Sequence, residues 1–346
     1  MIARLGCCAL ALATALAASA ARAAAPAPSD TSAVAALQLE AQSLAPLAGT
    51  ALGRRFLASC ERLPRIAPRT LRYDSTRTRY WSAAEAAVLP AIVRDSMLTR
   101  TLDESFYYTT RYGSPLAYLR PLELLAAAGF DSVAGKKIVD FGYGTVGHLR
   151  LFAELGVDAI GIEVDPLLRA LYSEPGDQGR VGGGSVRLLH GHFPGEAPVL
   201  SSVGHGVDLF LSKNTLKNGY IHPAEKVDPR RLVHLGVSDS AFVAVLYSIL
   251  KPGGRVMIYN LCPAPAPPGK PYIPWADGRC PFPAEMWQRA GFLIREFDRD
   301  DSNAARQMAH ALGWDQGESP MNLEKDLFAT YTLVTKLKLA DRSDPR

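Results

Sequence analysis

The chain has 346 residues, 48% hydrophobic and 21% charged, with a formal net charge of +4. Such a composition buries a sizeable core and excludes a disordered polymer, so one large domain with extensions is expected. There is no internal repeat and no metal-spaced group of Cys and His, and no metal is assigned.

The amino terminus carries a location signal. Met1–Arg4 is a short basic start, Leu5–Ala18 is an Ala/Leu run too short to span a bilayer comfortably, and Ala18-Ser-Ala20 or Ala21-Arg-Ala23 offers a small-residue cleavage site. A signal peptide over residues 1–25 and a periplasmic or secreted mature chain, with no stable membrane span, are therefore expected. No twin-arginine pair is present, so export would be of an unfolded chain without cofactor. A misassigned start would instead leave the chain in the cytoplasm; the next methionine is Met97.

Residues 26–130 read as a flexible start and then helical segments from about Ala33 to Gly129, a cap on the remainder of the chain. Within it, Arg54–Arg79 is arginine-rich, and nucleic-acid binding is one reading of such a run. The arginines are spread among Leu63, Pro64, Ile66, Pro68 and Leu71 without aromatic stacking positions, which favours a solvated surface and no nucleic-acid partner. Phe106–Gly113 then places several aromatics and Arg111 just ahead of the most informative stretch.

That stretch, Lys136–Pro166, reads as strand, glycine-rich turn, helix, strand, and ends in acids. Ile138–Phe141 is an apolar run suited to a parallel sheet, and Gly142, Gly144 and Gly147 allow a sharp turn and close approach of a ligand. Leu149, Phe152 and Ala153 recur at helical spacing, Gly156 stops that helix, and Val157–Ile162 supplies a second strand ending at Glu163. Further strands are expected at Ser185–His190, Val207–Ser212, Arg255–Asn260, from Leu293, and at Tyr331–Leu337, with Gly182–Gly184 as a plain loop. Ser238 is expected to cap a helix with Phe242, Val245, Leu246 and Ile249 on one face.

Taken alone, Gly142–Gly147 fits the G-x-G-x-x-G fingerprint of nicotinamide-dependent oxidoreductases. Asp140 separates the readings: it would repel a pyrophosphate but attract a sulfonium and an ammonium. The pattern D-x-G-x-G-x-x-G followed by G-I-E, with Lys251-Pro-Gly-Gly254 before a strand, resembles class I SAM-dependent methyltransferases over roughly Lys136 to Leu339. The resemblance implies a doubly wound α/β fold with a seven-stranded, mostly parallel sheet at residues 131–340, behind an N-terminal helical extension. It also implies S-adenosyl-L-methionine as cofactor and methyl transfer to an unidentified acceptor, a small molecule.

The same resemblance assigns roles. Asp140, Gly142, Gly144 and Gly147 would hold the methionine end and the turn, and Glu163 the ribose hydroxyls. His192 stands where the family has an acid touching adenine, a departure that one neutral ring nitrogen can still satisfy. Arg111 would pair with the cofactor's carboxylate. Ser212–Pro223 differs from the N-P-P-Y type of amide and adenine N-methylating members; in it Asn214 would orient the acceptor and His222 take its proton, while Lys213, with its high ordinary pKa, reads as an electrostatic contact or a solvated lysine rather than a base. Trp275, Asp277 and Arg279 are candidate acceptor contacts. Cys262 and Cys280 bracket that loop, either as a disulfide or as free thiols. Two rival functions stay open, a nicotinamide-dependent oxidoreductase and a non-catalytic exported binding protein.

Overall fold

The computed structural model describes residues 32–337, so the expected leader over residues 1–25 lies outside the described residues. Eleven strands are described: β1 (Arg69–Tyr73), β2 (Tyr80–Trp81), β3 (Leu98–Leu102), β4 (Lys137–Phe141), β5 (Asp158–Glu163), β6 (Gly179–Val181), β7 (Gly184–His190), β8 (Val207–Lys213), β9 (Leu250–Cys262), β10 (Phe292–Asp300) and β11 (Phe328–Lys336). The last eight form one sheet in the order β10-β11-β9-β8-β4-β5-β7-β6. Strands β7, β5, β4, β8 and β9 run parallel, while β11 is antiparallel to β9 and to β10. Chain order reverses between β4 and β8, and at such a switch point the carboxyl ends of open α/β sheets leave a crevice.

The apolar runs explain why the strands sit centrally. Alternate residues of β4 and β8 enter opposite faces, so Ile138, Leu209 and Leu211 join one core cluster and Val139, Phe141 and Phe210 the other. Helix Gly147–Glu154 buries Leu149, Leu151, Phe152 and Ala153 on the first face. Helix Asp239–Ile249 buries Phe242, Val243, Leu246 and Ile249 on the second, capped by Ser238 Oγ, which accepts from Ala241 N at 3.3 Å.

The expected seven strands become eight. Gly182 and Gly183 make a two-residue turn that folds β6 back antiparallel on β7, pairing Val181 with Gly184, so the segment read as a plain loop is a hairpin. The K-P-G-G stretch is also not a separate turn. The helix ending at Ile249 runs directly into β9, and pairing slips from Val207 with Leu250 to Leu209 with Arg255, leaving Lys251–Gly254 as a bulge. A Cβ at Gly254 would stand 2.8 Å from Lys251 O and 2.9 Å from Val207 O, a closeness only glycine permits.

The cap is not purely helical. Helices Ala33–Leu44 and Ala51–Ala58 pack on the first core face, but β2, β1 and β3 form a three-stranded antiparallel sheet, with β1 inside the arginine-rich run and β2 and β3 beyond it. Six of the eight arginines from Arg54 to Arg79 are exposed, as a solvated surface requires, and some of the eight also tie down the fold. Arg69, only 9% exposed, binds both Asp177 oxygens at 2.7 and 2.8 Å; Arg62 pairs with Glu154 at 2.7 Å; Arg72 donates to Arg94 O at 2.9 Å. No helix among the described residues is long and apolar enough to cross a membrane.

Candidate functional site

At the end of β4 the Asp140 side chain is fully buried, and its Oδ2 accepts from Tyr118 Oη at 2.7 Å and from His148 Nε2 at 2.5 Å. The Tyr118 and His148 rings stack at 3.7 Å, 6° from parallel. Burial pulls the His148 pKa down and drives that of Tyr118 well up, so both are neutral donors. Asp140 Oδ1 is buried without a partner. A buried oxygen left unpaired is expensive, which makes it the most suggestive atom of the crevice.

Above Asp140 the chain turns through Gly142 and Gly144, at φ 73° and 60°. A Cβ at Gly142 would collide with Thr215 Oγ1, and one at Gly144 would stand 2.8 Å from the Tyr112 ring. Gly147 starts the next helix, where a Cβ would press on Tyr108 O and Pro115. Glu163, at the end of β5, reaches back to this turn: its Oε2 accepts from Gly144 N at 3.3 Å and its Oε1 from Val164 N at 2.8 Å. Burial raises its pKa. Gly191 N donates to Glu163 O at 3.0 Å, which brings the exposed His192 beside the same edge; His192 N donates to Glu196 Oε1 at 3.0 Å.

The segment Thr110–Gly113 straps across the glycine turn. Thr110 (φ 49°) and Gly113 (φ 83°) mark its ends, Thr110 Oγ1 donates to Gly144 O at 3.0 Å, and Tyr112 covers Gly144. Arg111 lies in the strap and pairs with Asp165 at 2.5 Å rather than pointing into the crevice; the adjacent Tyr112 and Asp165 hold it charged.

Across the switch point, Lys213 ends β8 with its Nζ 5.3 Å from the centre of the Tyr118 ring. Burial brings its pKa down to about 8, although the Asp140 charge acts the other way. The high ordinary lysine pKa that argued against a proton-accepting role therefore does not apply at this position, and sequence spacing had no means of showing it. Asn214, at φ 68°, uses its side chain on the scaffold: Oδ1 accepts from Leu261 N at 2.7 Å. His222 lies on the loop after helix Asn218–Ile221, 45% exposed, its Nε2 2.9 Å from Asp239.

The loop after β9 is stitched to the loop after β8. Lys217, buried and brought down to about 8, donates to Leu261 O at 2.5 Å and Trp275 O at 3.3 Å, and Asn218 Nδ2 donates to Asp277 Oδ2 at 2.7 Å. Asp277 and Arg279 pair at 2.7 Å, so two of the expected acceptor contacts are spent on each other; Trp275 is buried with its Nε1 unpartnered. Cys262 and Cys280 are free, buried thiols that approach different carbonyls, Phe328 O and Phe282 O, so the disulfide alternative is not realised. His148 and Tyr118 went unmarked in the sequence, although a histidine directly after the last glycine of the turn is placed to face Asp140.

No protein-family model and no curated protein matches the chain. Among solved structures it is similar to phosphoethanolamine N-methyltransferase 2 of Haemonchus contortus, at 11% identity and a TM-score of 0.39 over 70% of this chain, and it spans 63% of that chain. It is also similar to a SAM-dependent methyltransferase of Mesorhizobium loti (15% identity, TM-score 0.35, 63% of this chain and 97% of that one) and one of Methanosarcina mazei (14%, 0.34, 61% and 97%). At such values the strand order, rather than any of these similarities, defines the fold.

Proposed function

We propose that the protein is a SAM-dependent methyltransferase acting on a small-molecule acceptor. The observation that carries this reading is Asp140: a fully buried acid with one unpartnered oxygen, beneath a glycine turn and at the switch point of the sheet. Its free oxygen suits the ammonium of the cofactor, Glu163 its ribose hydroxyls, and the exposed His192 its adenine edge, while Gly142, Gly144 and Gly147 keep the turn open to close approach. S-adenosyl-L-methionine would supply an activated methyl group, so the residues need chiefly to orient the acceptor, exclude water and move one proton.

For that proton Lys213 and His222 are the two candidates. Lys213 adjoins Asp140 and releases its proton near pH 8; His222 is oriented by Asp239. Asn214 would hold the end of β8 in place through Leu261 N. Tyr112 and Arg111 close the strap, which must move aside from Gly144 to admit a ligand. The division into leader (1–25), cap (26–130) and cofactor domain (131–340), with export of the mature chain, belongs to the same proposal.

Calorimetric titration with S-adenosylmethionine, S-adenosylhomocysteine and NAD tests it. The first two are expected to bind and NAD not to, and Asp140→Asn is expected to weaken S-adenosylmethionine by ~1 to 3 kcal/mol. Absence of binding by either sulfur compound overturns the proposal in favour of a non-catalytic role.

A further inference from the structure

The surface farthest from ordinary solvated chemistry is the tip of the cap sheet. Between β2 and β3 the chain forms two short helices, Ala83–Ala87 and Ala91–Asp95, joined through Leu89 and Pro90. Val88 is 84% exposed, Ile92 83%, Leu98 49% and Val93 41%. Ala87, Pro90 and Ala91 are exposed beside them. Four large aliphatic side chains fall within eleven residues, two of them almost wholly in water, a concentration of exposed apolar groups that single scattered residues do not make.

The charge around this tip is one-sided. Residues 72–100 hold five arginines and three acids. Tyr73 pairs with both Tyr80 and Leu98, which puts the β1–β2 turn, with exposed Arg77 and Arg79, at the same end of the sheet as Leu98. Exposed Arg100 lies two residues further along β3. Arg77 and Arg100 rest on the Tyr73 and Phe106 rings and Arg79 lines a shallow pocket with Arg169; none of the three is in an ion pair among the described residues. The acids are mostly engaged: Asp74 accepts from Thr78 N and Arg79 N inside its own turn, and Glu85 pairs with Arg169 at 2.7 Å, leaving Asp95.

We infer that this tip is a docking surface for an anionic membrane, Val88, Ile92, Val93 and Leu98 entering the interface and Arg77, Arg79 and Arg100 meeting lipid phosphates. Aliphatic groups flanked by arginines match the two components of such a surface, an apolar layer and a negative headgroup plane. Attachment there is peripheral and salt-sensitive. Strand β3 runs from the tip at Leu98 into helix Glu104–Thr109, which precedes the strap over Gly144.

The test uses the full chain with Ile92→Cys carrying an environment-sensitive fluorophore, the unsubstituted chain as labelling blank, and vesicles of phosphatidylcholine alone or with about one third phosphatidylglycerol. A blue shift on the anionic vesicles, reversed by salt and small on the neutral ones, is expected. Co-sedimentation with the anionic vesicles is expected to fall about tenfold in Val88→Asp and in Arg77→Glu/Arg79→Glu relative to the parent; all of these carry the same amino terminus, and their unfolding temperatures are expected to match the parent's. No shift on either vesicle, or an equal shift on both, overturns the inference. So does a probe already in an apolar setting without lipid, which would mean that the chain covers its own tip. Self-association abolished by Val88→Asp, without lipid binding, would assign the surface to a second copy instead.

Discussion

Asp140 and Lys213 lie within electrostatic reach of each other at the switch point, in different surroundings. Asp140 receives two neutral donors, Tyr118 and His148, whereas Lys213 has the Tyr118 ring and no hydrogen-bond acceptor among the described residues to favour its charge. With its pKa near 8, Lys213 loses its proton as the pH rises through that value, and only the neutral amine accepts a proton from the acceptor. If Lys213 is the base, turnover with an identified acceptor rises through about pH 8, and Lys213→Arg, charged at every accessible pH, loses ~10²- to 10⁴-fold with cofactor affinity nearly unchanged. His222→Ala would then leave the profile in place. A profile that survives Lys213→Arg and vanishes in His222→Ala would move the role to the loop.

At the scale of elements, the strap 110–113 is the part most ready to move. It is short, bounded by the left-handed residues Thr110 and Gly113, and held to the sheet edge by the Arg111–Asp165 pair, with Arg111 more than half exposed. An exposed pair of this kind contributes at most about 1 kcal/mol, so Arg111→Ala is expected to leave the unfolding temperature within about 2 °C while speeding cofactor association in stopped-flow measurements. Slower association would mean that Arg111 recruits the ligand rather than latching the strap. The centre of the sheet was legible from sequence because β4, β5, β8 and the second half of β9 carry largely apolar runs buried on both faces, and burial of that kind leaves a local pattern. β1 to β3 were not legible: Arg69-Thr-Leu-Arg-Tyr73 is stabilised by distant partners, Asp177 above all, which no window of sequence contains. The acid of the glycine turn was visible as a spacing, as were the positions of His148 and of the Asp277–Arg279 pair, but the Tyr118 partner of Asp140 and the lowered pKa of Lys213 arise from three-dimensional neighbours.

At the scale of the whole molecule, cap and sheet share one core. Leu44, Leu52 and Phe56 of the cap belong to the same cluster as Leu149, Phe152, Leu211 and Met257, and Phe56 meets Phe152 at 5.6 Å between ring centres. A polar tie runs alongside, where Arg120 of the cap grips Asp301 at 2.6 and 2.7 Å, and the cap is itself braced by buried Glu123, which accepts from Thr50 N and Oγ1, the latter at 2.7 Å. Cap and sheet joined in this way have no boundary at which to separate, so thermal unfolding is expected as a single transition seen equally by far-ultraviolet dichroism and tryptophan fluorescence. Phe56→Ala removes a fully buried ring from that shared core and is expected to lower stability by ~3 to 5 kcal/mol, moving the entire transition without splitting it. Reductant is expected to leave the midpoint where it is, since Cys60, Cys262 and Cys280 carry no disulfide. If the variant instead showed an early loss of part of the signal and then an unshifted main transition, the cap would be an independent unit, and the strap it carries would be free to leave the glycine turn without disturbing the sheet beneath.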